Sequence, residues 1–375
     1  MVGSINAPAT GNTIEAFIAL AAKAGTSTIP PIVPIGGILS VNGSSSSNTG
    51  TGTVTEPPVS SGVTTVPPPG ATVSNDTSSM AGGSPPANYG WATSLSDNAT
   101  TLLQIINFVD NVLLDILING HNDVTTGQWS NQWPNTIKNT VGSMGAQAIV
   151  HRSTSTDSLS HYSKEIQGTC GYNFDMTSIN DFVSIVLTLI LLEIGLLLDV
   201  IAQVAVTDTW MVAPLATTLG SKARMSGMVN MMQNHIAAAA PREVSIPSSL
   251  VYSYVMNNFV TSGSCPNTPD NAPTVIPPLT VANGPITNGR LTSVIVTYDS
   301  SIKGTLNMAW MGPWGSLEST VVTADASTAG MGTANVPTDL SGHVWGVLTN
   351  GVAASSKDVP NIAVAGPAIV WVTQP

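Results

Sequence analysis

From Phe182 to Val206 the chain is almost unbroken in apolar residues, and the two acids that interrupt it, Glu193 and Asp199, are the feature that most limits the fold. At 25 residues the stretch is long enough to cross a bilayer. Either acid near the bilayer centre would cost a few kcal/mol. A helix apolar on every side is equally the central helix of a soluble bundle. We take the buried helix, beginning near Ser178, and no membrane span. Such a helix needs other helices around it.

Those helices are visible by their spacing. Leu102, Ile105, Ile106, Val109, Val112, Leu113 and Ile116 recur at helical intervals, predicting a helix from Thr100 to about Asn119. Asp97 or Asn98 would cap it and Gly120 would end it. Asn107, Asn111 and Asp115 form a polar stripe on it, which solvent exposure or a polar pocket would explain. Pro134 fits the first turn of a helix reaching about Arg152. Further helices are expected from Trp210 to His235 and from Leu250 to Phe259. Long helices joined by moderate loops describe a bundle, placed at residues 91–264.

The flanks have a different texture. Residues 1–90 hold one short apolar helix, Thr13 to Ala24, and then Pro, Gly, Ser, Thr and Val with almost no charge or periodicity. A passive spacer is the main reading; an arm over the bundle, using Ile29 to Ile38, is the other. A Pro-rich linker covers 265–280. In 281–375, five runs read as strands: Leu291–Tyr298, Gly304–Met311, Glu318–Thr323, His343–Thr349 and Ala363–Thr373. Short strands without helices predict a small β-sandwich. The fold class is therefore α+β and multidomain, a helical bundle followed by an all-β sandwich.

Charge and motifs exclude several functions. Only 8% of residues are charged, and 10 Lys and Arg against 21 Asp and Glu leave a net charge of −11. Too few cations remain to cluster on phosphates, so nucleic acid is not a partner. There is no G-x-S-x-G, no phosphate-binding loop, no dinucleotide fingerprint and no Cys/His zinc spacing. Three glycosylation sequons (Asn42, Asn75, Asn98) and the two cysteines lean toward a secreted or lumenal glycoprotein with a Cys170–Cys265 disulfide. The first residues carry no signal-peptide pattern.

Several segments together resemble the fungal ferritin-like proteins of the late-sexual-development and stress-response type. They are Leu103 to Phe108, Cys170-Gly-Tyr-Asn-Phe, Leu192-Glu-Ile-Gly195, Phe259-Val-Thr-Ser before Cys265-Pro266, Val347-Leu-Thr-Asn350 and Ala365-Gly-Pro-Ala368. Their order and spacing agree over roughly residues 85–375. Ferritin-like bundles hold two metals on inward-facing Glu and His side chains. What the resemblance implies for those positions mostly fails here. The first Glu falls at Leu113 and the second at Ala148, His151 and Glu193 match, and Lys222 and Met225 replace the last Glu and His. Two survivors of six cannot hold a dimetal centre, and Lys222 would repel a cation. No metal and no cofactor are expected.

An interior where ligands once met remains. Glu193 facing Lys222 would be a structural ion pair or an acid–base pair. Glu193, His151, Lys222 and Asp115 are the candidate catalytic residues. Met225, Met228, Trp129, Trp133 and Trp210 are the candidates for an adaptable apolar lining. The function expected is a metal-independent enzyme of fungal specialised metabolism that dehydrates and cyclises a hydrophobic small molecule. A pericyclase of the hetero-Diels–Alder kind is one example. The alternative is a non-enzymatic secreted developmental or stress protein.

Overall fold

A computed structural model describes residues 62–86, 90–129, 133–282, 286–287 and 289–373. The Thr13–Ala24 helix, the Ile29–Ile38 stretch and the Asn42 sequon lie outside them. Among the described residues there are seven α-helices and two β-sheets, with the helices first in the chain.

Helix α1, Asn75–Ala81, lies inside the low-complexity region. Ser74 caps it by accepting from Thr77 N, and Gly82 ends it in the left-handed conformation. The segment around it packs on the bundle as a strap. Ser143 Oγ donates to Met80 O at 2.7 Å, Asn122 Nδ2 to Thr64 O at 2.8 Å, and the buried Arg152 to Pro67 O at 2.8 Å. Val63, Val66 and Val73 join the edge of the helical core.

Helix α2, Asp97–Thr126, is capped by Ser96 and runs past Gly120 to Gly127. Gly120 is a packing notch rather than a stop: a Cβ there would overlap the Phe182 ring. Helix α3, Asn135–His161, continues nine residues beyond Arg152, because Ser155, Thr156, Ser158 and Leu159 give its polar end a buried face. Helix α4, Ile179–Val204, is the central helix, capped by Ser178. A 3₁₀ turn at Thr209–Met211 leads into α5, Val212–Met232, and α6 spans Ser248–Asn258. Two helices, α2 and α4, are long and apolar enough to cross a membrane, and both are mostly buried inside the fold. The two acids of α4 are accommodated by partners. Asp199 accepts from Ser248 N at 2.9 Å at the start of α6 and from Gln203 at 2.7 Å, while Glu193 meets Lys222.

Cys170 and Cys265 are joined in a disulfide, which ties the entry of α4 to the exit of α6. Backbone bonds reinforce that junction, from Asn173 N to Phe259 O and from Thr261 N to Gly171 O, both 2.9 Å.

The strands are β1 Thr280–Ala282, β2 Ile286–Thr287, β3 Thr292–Thr297, β4 Asn307–Met311, β5 Leu317–Val321, β6 Thr323–Ala324, β7 Met331–Val336, β8 Gly342–Thr349 and β9 Ala363–Thr373. One sheet has the order β1-β3-β7-β6, the other β2-β9-β8-β4-β5. The pairings are antiparallel except β2 with β9. Val294, Val296, Ala334 and Val336 from the first sheet meet Met308, Trp310, Val344 and Leu348 from the second in one core. The alternate residues Ala309, Met311, Trp345 and Val347 belong instead to the helical core. The second sheet is therefore buried on both faces, and Tyr254 of α6 packs edge-on against Trp345 at 5.7 Å. A four-residue helix, α7 at Val359–Ile362, precedes β9.

Candidate functional site

Four helices each direct one ionisable side chain to a common point in the bundle. Lys222 Nζ of α5 donates to Glu193 Oε2 of α4 at 2.6 Å, and both side chains are fully shielded from solvent. Asp110 of α2, 1% exposed, lies beside the pair, close enough for the charges of both Glu193 and Lys222 to act on it. Burial, and then the charge of Glu193, push the Asp110 carboxyl well above the ordinary range. Ser155 Oγ of α3 donates to Asp110 Oδ2 at 3.2 Å. Asp110 Oδ1 and Glu193 Oε1 are buried without a hydrogen-bond partner.

Above this cluster lies a cavity of about 50 Å³ whose lining includes Asp110, Glu193, His151, Leu103, Leu197 and Trp210. Lys222 stands behind Glu193, outside the lining. His151 is held neutral, with a pKa lowered to about 3 by burial and then by the Lys222 and Arg224 charges. Its Nδ1 and the Trp210 indole nitrogen are buried without a partner, so the polar atoms at the cavity exceed the partners the protein supplies. Trp210, Met211, Pro214 and Leu215 form the rim, where the 3₁₀ turn enters α5.

The structure thus brings together Glu193, Lys222, His151 and Trp210. The remaining candidates lie elsewhere. Asp115 is half-buried, accepts from Asn119 at 2.8 Å and is outside the lining, its carboxyl raised by burial. Trp129 and Trp133 pack on Phe182, at 5.8 and 6.3 Å between ring centres. Met225 is in the apolar core, Met228 is half-buried, and neither lines the cavity. Leu113 and Ala148 are plain core residues. The Asn75 and Asn98 sequons are exposed in the first turns of α1 and α2. Among the described residues, no group of three or more His, Cys, Asp or Glu side chains is placed to hold a metal ion.

Asp110 is the residue that sequence reasoning missed. It falls four residues after Ile106 and seven before Leu117, on the apolar face of its helix, and an acid on that face was the available signal. Asn107 and Asn111 of the stripe beside it are neither solvent-facing nor in the wall of this cavity. Asn107 Nδ2 donates to Ser155 Oγ at 2.9 Å, and Asn111 Nδ2 donates to Gln167 O at 3.1 Å while its Oδ1 accepts from Arg152. These buried amides fix α3 and the segment before α4 against α2.

A second cavity, about 230 Å³, lies between α5, the 237–244 segment and β8, and is lined by Asn230, Glu243, His343 and Trp345 among others. His343 Nε2 and Asn230 Oδ1 are 3.0 Å apart, so this ring nitrogen carries the proton. Burial, and then His235, hold the His343 pKa at about 3. No protein-family model matches the chain, and no curated protein matches it in sequence.

Proposed function

We propose that the helical part is a ferritin-like bundle turned into a metal-independent catalyst, which acts on a hydrophobic small molecule above Asp110. The observation that carries this reading is a buried carboxyl pushed up by its surroundings and a neutral imidazole, Asp110 and His151, on one apolar cavity with unpartnered polar atoms. The resemblance to the fungal proteins implies that His151, Glu193 and Lys222 occupy three of the six inward ligand positions. In this reading Asp110 protonates a leaving hydroxyl and His151 accepts a proton from the substrate. The sum is a dehydration that leaves a reactive, conjugated species for cyclisation. Glu193 holds the Asp110 proton in place, and the apolar walls orient the product for ring closure. The cavity of about 50 Å³ is smaller than such a substrate. Entry therefore needs the Trp210–Leu215 rim to swing outward. The disulfide and the exposed sequons fit a secreted or lumenal protein.

The test pairs folding with turnover. Candidate substrates are apolar alcohols made by biosynthetic enzymes encoded beside the gene. Asp110→Asn should still unfold in one cooperative transition and lose about 10²- to 10⁴-fold in turnover. Unchanged turnover by the variant, or no conversion of any candidate by the wild type, would overturn the reading. The small cavity favours one other reading, a non-enzymatic secreted protein of development or stress in which the charged cluster is structural.

A further inference from the structure

We infer that Lys222 and Glu193 condense into an intramolecular side-chain amide that joins α4 to α5 inside the bundle. The amine nitrogen is already 2.6 Å from a carboxyl oxygen, with both side chains shielded from solvent. A third group stands at the right place to assist. Asp110 is buried beside the pair, within reach of both charges, and Asp110 Oδ1 and Glu193 Oε1 are each buried without a hydrogen-bond partner. The cross-link needs no substrate in the cavity, and Lys222 lies outside the lining.

The step balances with nothing added. Transfer of one proton from Lys222 to Glu193 converts ammonium and carboxylate into amine and acid. The Nζ lone pair attacks Cδ, the carbonyl electron pair moves to oxygen, and the Asp110 hydroxyl hydrogen-bonds to that oxygen as charge develops. The tetrahedral centre collapses as the hydroxyl leaves, taking one proton that nitrogen releases through Asp110. One N–C bond forms, one C–O bond breaks, one water departs, and Asp110 ends with the proton it began with.

Three features favour condensation here over an ordinary ion pair. Holding nucleophile and acid in contact replaces a bimolecular encounter, as in well-oriented intramolecular reactions. Two buried charges disappear, and burial penalises each of them. Burial pushes the Asp110 carboxyl upward, which favours its proton-carrying form. The amide oxygen then accepts from Asp110, so the carboxyl keeps a partner.

The experiment is an intact mass measurement on wild-type protein, reduced, denatured and made in a host that adds no glycans. The expected mass is lighter than the sequence mass by one water. Trypsin should fail to cut after Lys222, so the fragment that carries both Glu193 and Lys222 should extend to Arg224 and be lighter than its sequence mass by one water. Lys222→Met should show the full mass of its own sequence. Asp110→Asn, which retains shape, should be recovered folded and largely uncross-linked. Wild-type protein at the full sequence mass, or a lost water that maps to other residues, would overturn the inference. Each outcome is read from mass alone and is independent of turnover.

Discussion

Replacing Lys222 by Met removes the cation from the buried cluster while keeping a side chain of similar length. In the ion-paired protein, Lys222 faces Glu193 at 2.6 Å with zero exposure, and the buried Asp110 carboxyl lies beside them. Without the ammonium, Glu193 either keeps an uncompensated charge or takes up a proton against its neighbour. Breaking one side of a buried pair costs about 3–5 kcal/mol. Met fills the vacated volume, so a cavity contributes little. Where the amide has formed, the variant also loses a cross-link between residues 29 apart. Its chain-entropy contribution is about 3–4 kcal/mol, so the expected loss is at least 3 kcal/mol in either state. The assay is urea unfolding at neutral pH, comparing midpoints at unchanged slope. Adding Glu193→Gln to the variant removes the orphaned charge and should recover about 2 kcal/mol or more. A Lys222→Met protein within about 1 kcal/mol of wild type would refute the reasoning, because Lys222 would then not be compensating a buried charge.

Acidification should weaken the fold through His343. Its folded pKa of about 3 lies below the unfolded value, so its contribution is complete above about pH 6.5 and is lost as pH falls. Between pH 7 and 5 the stability advantage of wild type over His343→Gln should shrink by about 2 kcal/mol in urea titrations. Gly120→Ala should lower the thermal midpoint despite Ala's helix propensity, because its methyl overlaps the Phe182 ring. Overpacking of this kind costs about 1–3 kcal/mol, and a raised midpoint would show that the ring moves freely. Thiol titration in denaturant should find no free thiol from Cys170 and Cys265, and their reduction should cost about 4–5 kcal/mol for a 95-residue separation.

The apolar stretch of α4 made the bundle legible, because no exposed helix tolerates such a surface. The strand Ala363–Thr373 was equally clear, as β9 has the bounds that its β-branched residues suggested. What escaped the sequence had tertiary causes. β7 contains Gly332 and Asn335 and resembles a turn, yet Gly332 is required where Val322 and Thr323 press on it. Gly120 resembled a helix end for the same reason, since a glycine that admits a ring is locally identical to one that caps. At the site, Glu193, His151 and Lys222 were found through their spacing in the resemblance. Asp110 was not, because the search looked for Glu at Leu113, one turn further along the helix. The Trp and Met candidates were chosen for their chemistry alone, and chemistry does not say which end of a bundle a side chain occupies. Trp129 and Trp133 went to the Phe182 end, and Trp210 to the cavity.

The central claim is that the folded protein keeps Asp110 as a neutral acid beside an apolar cavity. Carbon-13 NMR of the side-chain carboxyls, titrated from pH 4 to 8 and assigned by the signal missing in Asp110→Asn, reads that proton directly. The account predicts a carboxyl that keeps its protonated chemical shift through neutral pH. A signal for Asp110 that ionises at about pH 4, the ordinary range for aspartate, would contradict it.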